Sequence, residues 1–163
     1  MSSFVNGKAF LFAAALAWSG TSLAASAAEK APSPSQVERG RYLVRISGCN
    51  DCHTPGYLQG NGQVDEKVWL TGTALGWNGP WGTTYATNLR LLLNELSEAQ
   101  WLTHARTMQP RPPMPWFNVR AMNDDDLKAI YAFVKTLGPA GAAAPAYVPP
   151  GKEVAGPMVR FVP

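Results

Sequence analysis

The sequence predicts a small helical domain wrapped by long loops, and three observations predict it. Segments 36–47, 97–108 and 123–137 carry helical apolar spacing or helix-capping signals. Between the first two of them, Thr54 to Thr87 is rich in glycine and reads as one long loop. At the junction of first helix and loop stands Cys49-Asn50-Asp51-Cys52-His53. A length of 163 residues suits one domain of ordinary size.

The first stretch is not part of that domain. Met1 to Lys8 is polar with one cation, Ala9 to Trp18 is an unbroken apolar run, and Ala25-Ser26-Ala27 supplies small residues. This is the layout of a secretory signal peptide, residues 1–28, with cleavage after Ala27 or Ala28 and export to the periplasm. As a membrane anchor the apolar run is too short, since its residues rise about 1.5 Å each against a roughly 30 Å hydrocarbon core. Without Lys8 the formal charge falls from +3 to +2. The basic residues are scattered, so no nucleic-acid-binding stripe is present.

Residues 29–35 form a short polar linker with Pro32 and Pro34. Gln36 to Ser47 then alternates Val37, Tyr42, Leu43, Val44 and Ile46 with charged residues, an amphipathic helix with Ser35 as N-cap and Gly48 as its stop. Gly40 inside it costs about 1 kcal/mol relative to alanine, which suggests that another helix crosses closely there.

The Cys49–His53 pentad has the spacing of a c-type haem attachment sequence. Two thiols three positions apart reach the two vinyl groups of one flat macrocycle, and the adjacent imidazole becomes the proximal iron ligand. A disulfide here would close a small strained loop. A dithiol redox site expects a βαβ setting, and a zinc site would make adjacent Cys52 and His53 joint ligands with distant His104. Haem c, one group covalently attached, is the reading these residues support best.

The loop that follows holds Trp69, Trp77 and Trp81 among its glycines. A loop of that length needs something to wrap, and a flat apolar ring provides it. Ser97-Glu98-Ala99-Gln100 is a capping box opening a helix to about Met108, with Trp101 and Leu102 facing inward. Next comes Pro110-Arg111-Pro112-Pro113-Met114-Pro115-Trp116. Proline lacks an amide donor and biases the residue before it to extended backbone, so Met114 sits on a stiff strap with its soft sulfur available as distal iron ligand. His104, Met108, Met122 and Met158 are the other candidates; Met122 and Met158 read as packing.

Asn123-Asp124-Asp125-Asp126 caps the last helix, which runs to Leu137 with a stripe of Leu127, Ile130, Tyr131, Val134 and Leu137 before Gly138-Pro139. Residues 139–163 are a Pro/Gly/Ala-rich tail expected to be extended and free of regular structure. Its apolar end, Met158, Val159, Phe161 and Val162, suggests that it lies against the body or a partner.

The segments Cys49 to Gly56, Gly79 to Asn88, and Pro113 to Trp116 followed by Met122 to Leu137 resemble class I cytochrome c. They resemble in particular the single-haem modules of bacterial alcohol, aldehyde and gluconate dehydrogenase cytochrome subunits. The resemblance implies an all-α domain over residues 36–138, three to five short helices around one covalent haem with long Gly/Trp-rich loops. It implies that the first and last helices cross with Gly40 under Tyr131 or Phe133, and that Met114 is the distal ligand. It also places Thr87 and Asn88 near the haem edge, with Arg90 a propionate partner beside the equally basic Arg41 and Arg111. Leu89 to Leu96 departs from the family, being shorter and more apolar.

These readings point to a periplasmic single-electron carrier, or a haem subunit serving a dehydrogenase or oxidase, rather than an enzyme in itself. Its partners would be redox proteins, with no nucleic acid and no membrane span after signal cleavage. The alternative is an open-iron haem c protein for peroxide chemistry or gas sensing, with His104 as distal acid–base group.

Overall fold

The computed structural model describes residues 31–161; the expected signal peptide and Val162 lie outside the described residues. Among the described residues six helices carry the fold: α1 (Pro34–Ile46), α2 (Cys49–His53), α3 (Leu89–Glu95), α4 (Glu98–Thr107), α5 (Trp116–Ala121) and α6 (Asp124–Leu137). A 3₁₀ turn spans Glu66–Val68. Three short strands complete it: β1 (Gly76–Gly79), β2 (Gly82–Tyr85) and β3 (Met158–Arg160).

The domain is thus mostly helical rather than all-α. The stretch read as plain loop folds back as an antiparallel hairpin, with Trp77 opposite Thr84 and Gly79 opposite Gly82. The tail supplies the third strand, parallel to β1, with Gly76 opposite Met158 and Asn78 opposite Arg160. Strand order is β2-β1-β3. Among the described residues, no helix is long and apolar enough to cross a membrane.

α1 begins two residues earlier than its sequence signal. Ser33, not Ser35, is the N-cap and accepts from the Gln36 amide, while Pro34 takes the first helical position. Proline is favoured there because the amide it lacks has no partner in the first turn anyway. α4 has the capping box in full, with Ser97 and Gln100 bonded reciprocally. Asn123 caps α6 by accepting from the Asp126 amide at 2.8 Å, and the three aspartates occupy the positive end of its dipole.

α6 is the axis of the core, and α1, α3 and α4 pack on it. Leu127, Phe133 and Val134 are fully buried, along with Val44 from α1 and Leu93 from α3. Burying each such side chain contributes roughly 1.5–3 kcal/mol. The α1–α6 crossing is tightest at Gly40. A Cβ added there would overlap the Ala129 carbonyl and stand 2.8 Å from Phe133 Cβ, so the neighbours of Gly40 are Ala129 and Phe133. Hydrogen bonds from Trp101 Nε1 to the Leu127 carbonyl and from Tyr131 Oη to the Leu96 carbonyl, each 2.9 Å, lock α4 and the α3–α4 turn to α6.

Candidate haem site

α2 is a single turn and needs outside support to hold its shape. Asn50 is fully buried beneath it and its Oδ1 accepts from Thr54 Oγ1 at 2.7 Å. Thr54 Oγ1 accepts in turn from the Leu70 amide at 2.8 Å, and the His53 carbonyl accepts from the Gly72 amide at 2.8 Å. Segment 70–72 therefore clamps the turn. Cys49 and Cys52, three apart on this helix, share a face, and both thiols are free and line one cavity. Burial pushes the Cys49 thiol up to about 11, with the nearby Asp51 charge adding to it. Cys52 is raised for the same two reasons.

His53 lies in the same cavity wall. Its Nδ1 is 2.7 Å from the Thr87 carbonyl oxygen, which can only accept, so Nδ1 carries the proton. That leaves the Nε2 lone pair for a metal, the usual arrangement for a histidine ligand oriented by a backbone carbonyl. Burial lowers the His53 pKa, which keeps the ring in the neutral, coordinating form; the bond to Thr87 opposes this in part. The family resemblance puts Thr87 near the haem edge, but the role of its carbonyl was invisible in the sequence because a backbone acceptor leaves no side-chain signature. Asn50, Thr54 and the amides of Leu70 and Gly72 were missed for a related reason, since they act through contacts between segments.

The cavity measures about 1080 Å³ and draws on every helix and the hairpin. Ordinary ligand pockets run to about 1,000 Å³. Its lining is largely apolar, including Leu70, Leu93, Ile130 and Val134. Met114 lines it from the strap between α4 and α5, and His104, Met108 and Met122 line it as well. Met158 stands in β3, away from the cavity wall. The strap is irregular up to Pro115, and Trp116 opens α5 rather than continuing it. Both its ends are fastened. Arg120 Nη2 donates to the Met108 carbonyl at 2.9 Å with its guanidinium 4.4 Å from the Trp116 ring centre, and Thr84 Oγ1 donates to the Pro112 carbonyl at 2.7 Å.

Two residues named from the family resemblance are engaged with the protein backbone. Asn88 is buried, but it caps α3 through Leu91 and donates to the Ala140 and Ala142 carbonyls. Arg90 is buried too, and its guanidinium is spent on the carbonyls of Lys67, Leu137 and Gly138, closing the C-terminus of α6. Neither lines the cavity. Arg41 is paired with Glu38 and Glu66. Of the three arginines considered for a propionate, Arg111 alone reaches the cavity wall.

The residues present fit a haem. Two thiols and an oriented imidazole share one wall of an apolar cavity, and a methionine strap contributes another part. The buried Trp77 Nε1 in the same wall has no acceptor among the described residues, so a carboxylate on the bound group would satisfy a donor otherwise left unmatched. The comparisons agree. The cytochrome c family model matches residues 37–138. The fructose dehydrogenase cytochrome subunit of Gluconobacter japonicus is 30% identical over 142 residues, covering 77% of this chain and 27% of that protein. This chain therefore spans about a quarter of the length of that relative. No solved structure matches it. With the pentad intact and the family model spanning α1 to the end of α6, the chain belongs to the cytochrome c family and is an electron-transfer protein carrying covalent haem c.

Proposed function

We propose that the protein is a periplasmic single-electron carrier, or the haem subunit of a dehydrogenase or oxidase, in which His53 and Met114 would ligate the haem iron. The observation that carries this reading is the placement of His53 and Met114 in the wall of one apolar cavity, each held by elements that leave its ligating atom uncommitted. Haem c supplies a one-electron ferric/ferrous couple. Cys49 and Cys52 hold it covalently, and Thr87 orients the His53 ring. Met114, as a thioether ligand, would favour the ferrous form and so raise the potential. The apolar wall excludes water, which limits reorganisation when the charge changes. The N-terminal layout of cation, apolar run and small residues supports export. The relative's printed name supports service as a cytochrome subunit beside a dehydrogenase.

A second reading has one observation in its favour: His104 lines the same cavity, packed against Trp101. There the distal position would be open and His104 would serve peroxide chemistry or gas binding. Carbon monoxide added to the reduced protein separates the two. A closed His53/Met114 iron gives no spectral change at neutral pH, and Met114→Ala restores binding. Ready binding by the unaltered protein moves the open-iron reading into first place.

A further inference from the structure

The family match ends at residue 138, yet the chain beyond it builds part of the haem cavity. Pro145 and Tyr147 line the wall that Met114 also lines. We infer that residues 139–161 act as a clamp on the methionine strap, with Tyr147 as the positioning residue for Met114. The inference rests on Met114 being the distal ligand.

The segment is tied to the body along its length. Asn88 Nδ2 donates to the Ala140 and Ala142 carbonyls at 2.8 and 3.1 Å. Val148 and Thr83 exchange backbone hydrogen bonds of 2.8 and 3.0 Å. β3 then pairs with β1, and Phe161 packs against Trp77 and Trp81, with ring centres 6.1 and 5.4 Å away. Gly82 makes the approach possible: a Cβ there would overlap the Val148 carbonyl and stand 3.0 Å from the Tyr147 ring.

Between these anchors Tyr147 is held by its hydroxyl, which donates to the Trp81 carbonyl at 2.8 Å. Its ring lies under the Arg111 guanidinium, 3.8 Å from the ring centre. Arg111 is three residues before Met114 on a strap that carries Pro112 and Pro113 between them. Stiff backbone transmits position, so fixing Arg111 restricts where the Met114 sulfur can go. Thr84 fixes the same strap at Pro112, from the hairpin on which the tail is docked. A ligand held in a binding-competent place for a larger fraction of the time blocks a competitor in proportion.

The test compares the holoprotein with Tyr147→Ala, Tyr147→Phe and a chain ended after Ala143, which keeps the carbonyls that Asn88 needs. Each is examined for the weak far-red sulfur-to-iron band and for carbon monoxide binding when reduced. The clamp predicts that Tyr147→Ala and the shortened chain weaken the band and raise apparent carbon monoxide affinity roughly ten-fold. Tyr147→Phe keeps the ring but loses the hydroxyl that holds it, and falls between Tyr147→Ala and the unaltered protein. Tyr147→Ala combined with Arg111→Gln adds little to either alone, because both remove one contact. If the shortened chain fails to fold, Tyr147→Ala decides by itself. Retention of the band and of unaltered carbon monoxide behaviour by Tyr147→Ala, with haem content and helicity intact, overturns the clamp. If the unaltered protein already lacks the band and matches Met114→Ala, the ligand assignment fails and the clamp falls with it.

Discussion

At the scale of single residues, the two arginines flanking the site make opposite predictions. Arg90 donates to three backbone carbonyls, and without it those part-buried acceptors lose a charged partner. Arg90→Ala is predicted to destabilise the holoprotein by about 2–3 kcal/mol in denaturant titration while leaving the haem potential unchanged. Arg111→Gln should shift the potential with a smaller effect on stability, because Arg111 lines the cavity from an exposed strap. A potential that moves with Arg90 and not with Arg111 would reverse the assignment. The contrast also shows what the sequence could disclose. Cys49, Cys52 and His53 were legible because their chemistry depends on contiguous spacing. Met114 stood out because the prolines around it forbid a helix. The partners of Asn88 and Arg90 were not legible because a polar side chain's partner is set by segments about fifty residues away, at Gly138 to Ala142.

At the scale of elements, the α1–α6 crossing is the most sensitive point. Gly40→Ala forces a methyl group into the Ala129 carbonyl, and backbone cannot yield as a flexible side chain does. Overpacking typically costs about 1–3 kcal/mol, and the thermal midpoint of the holoprotein should fall accordingly, whereas an unchanged midpoint would mean that the helices cross elsewhere. Replacing Asn123 by alanine removes the cap of α6 and should cost about 1 kcal/mol, read in the same way. The long helices were legible from caps and apolar stripes. α2, α3 and α5 are five to seven residues long, too short for periodicity to register. The sheet was missed because its third strand comes from about eighty residues further along the chain, and the parallel pairing of Gly76 with Met158 has no local sequence signal.

At the scale of the molecule, one covalent attachment motif per chain predicts one haem, retained after denaturation. Cys49→Ala or Cys52→Ala should leave a single thioether bond and shift the reduced absorption band, while the double change should release the haem under denaturing conditions. The helices bring the attachment turn, the hairpin and the methionine strap around one cavity, and the chain beyond α6 closes part of its wall. On the proposed reading that arrangement separates anchoring, at α2, from tuning, at the strap and tail. On the proposed reading His53 and Met114 close the iron, which then passes electrons rather than binding substrate. The measurement that tests it most directly is the visible spectrum of the holoprotein, oxidised and reduced, beside that of Met114→Ala. Sharp low-spin bands and a far-red sulfur-to-iron band that vanishes in the variant are the predicted result. High-spin bands in the unaltered protein, or a spectrum indifferent to Met114, would contradict it.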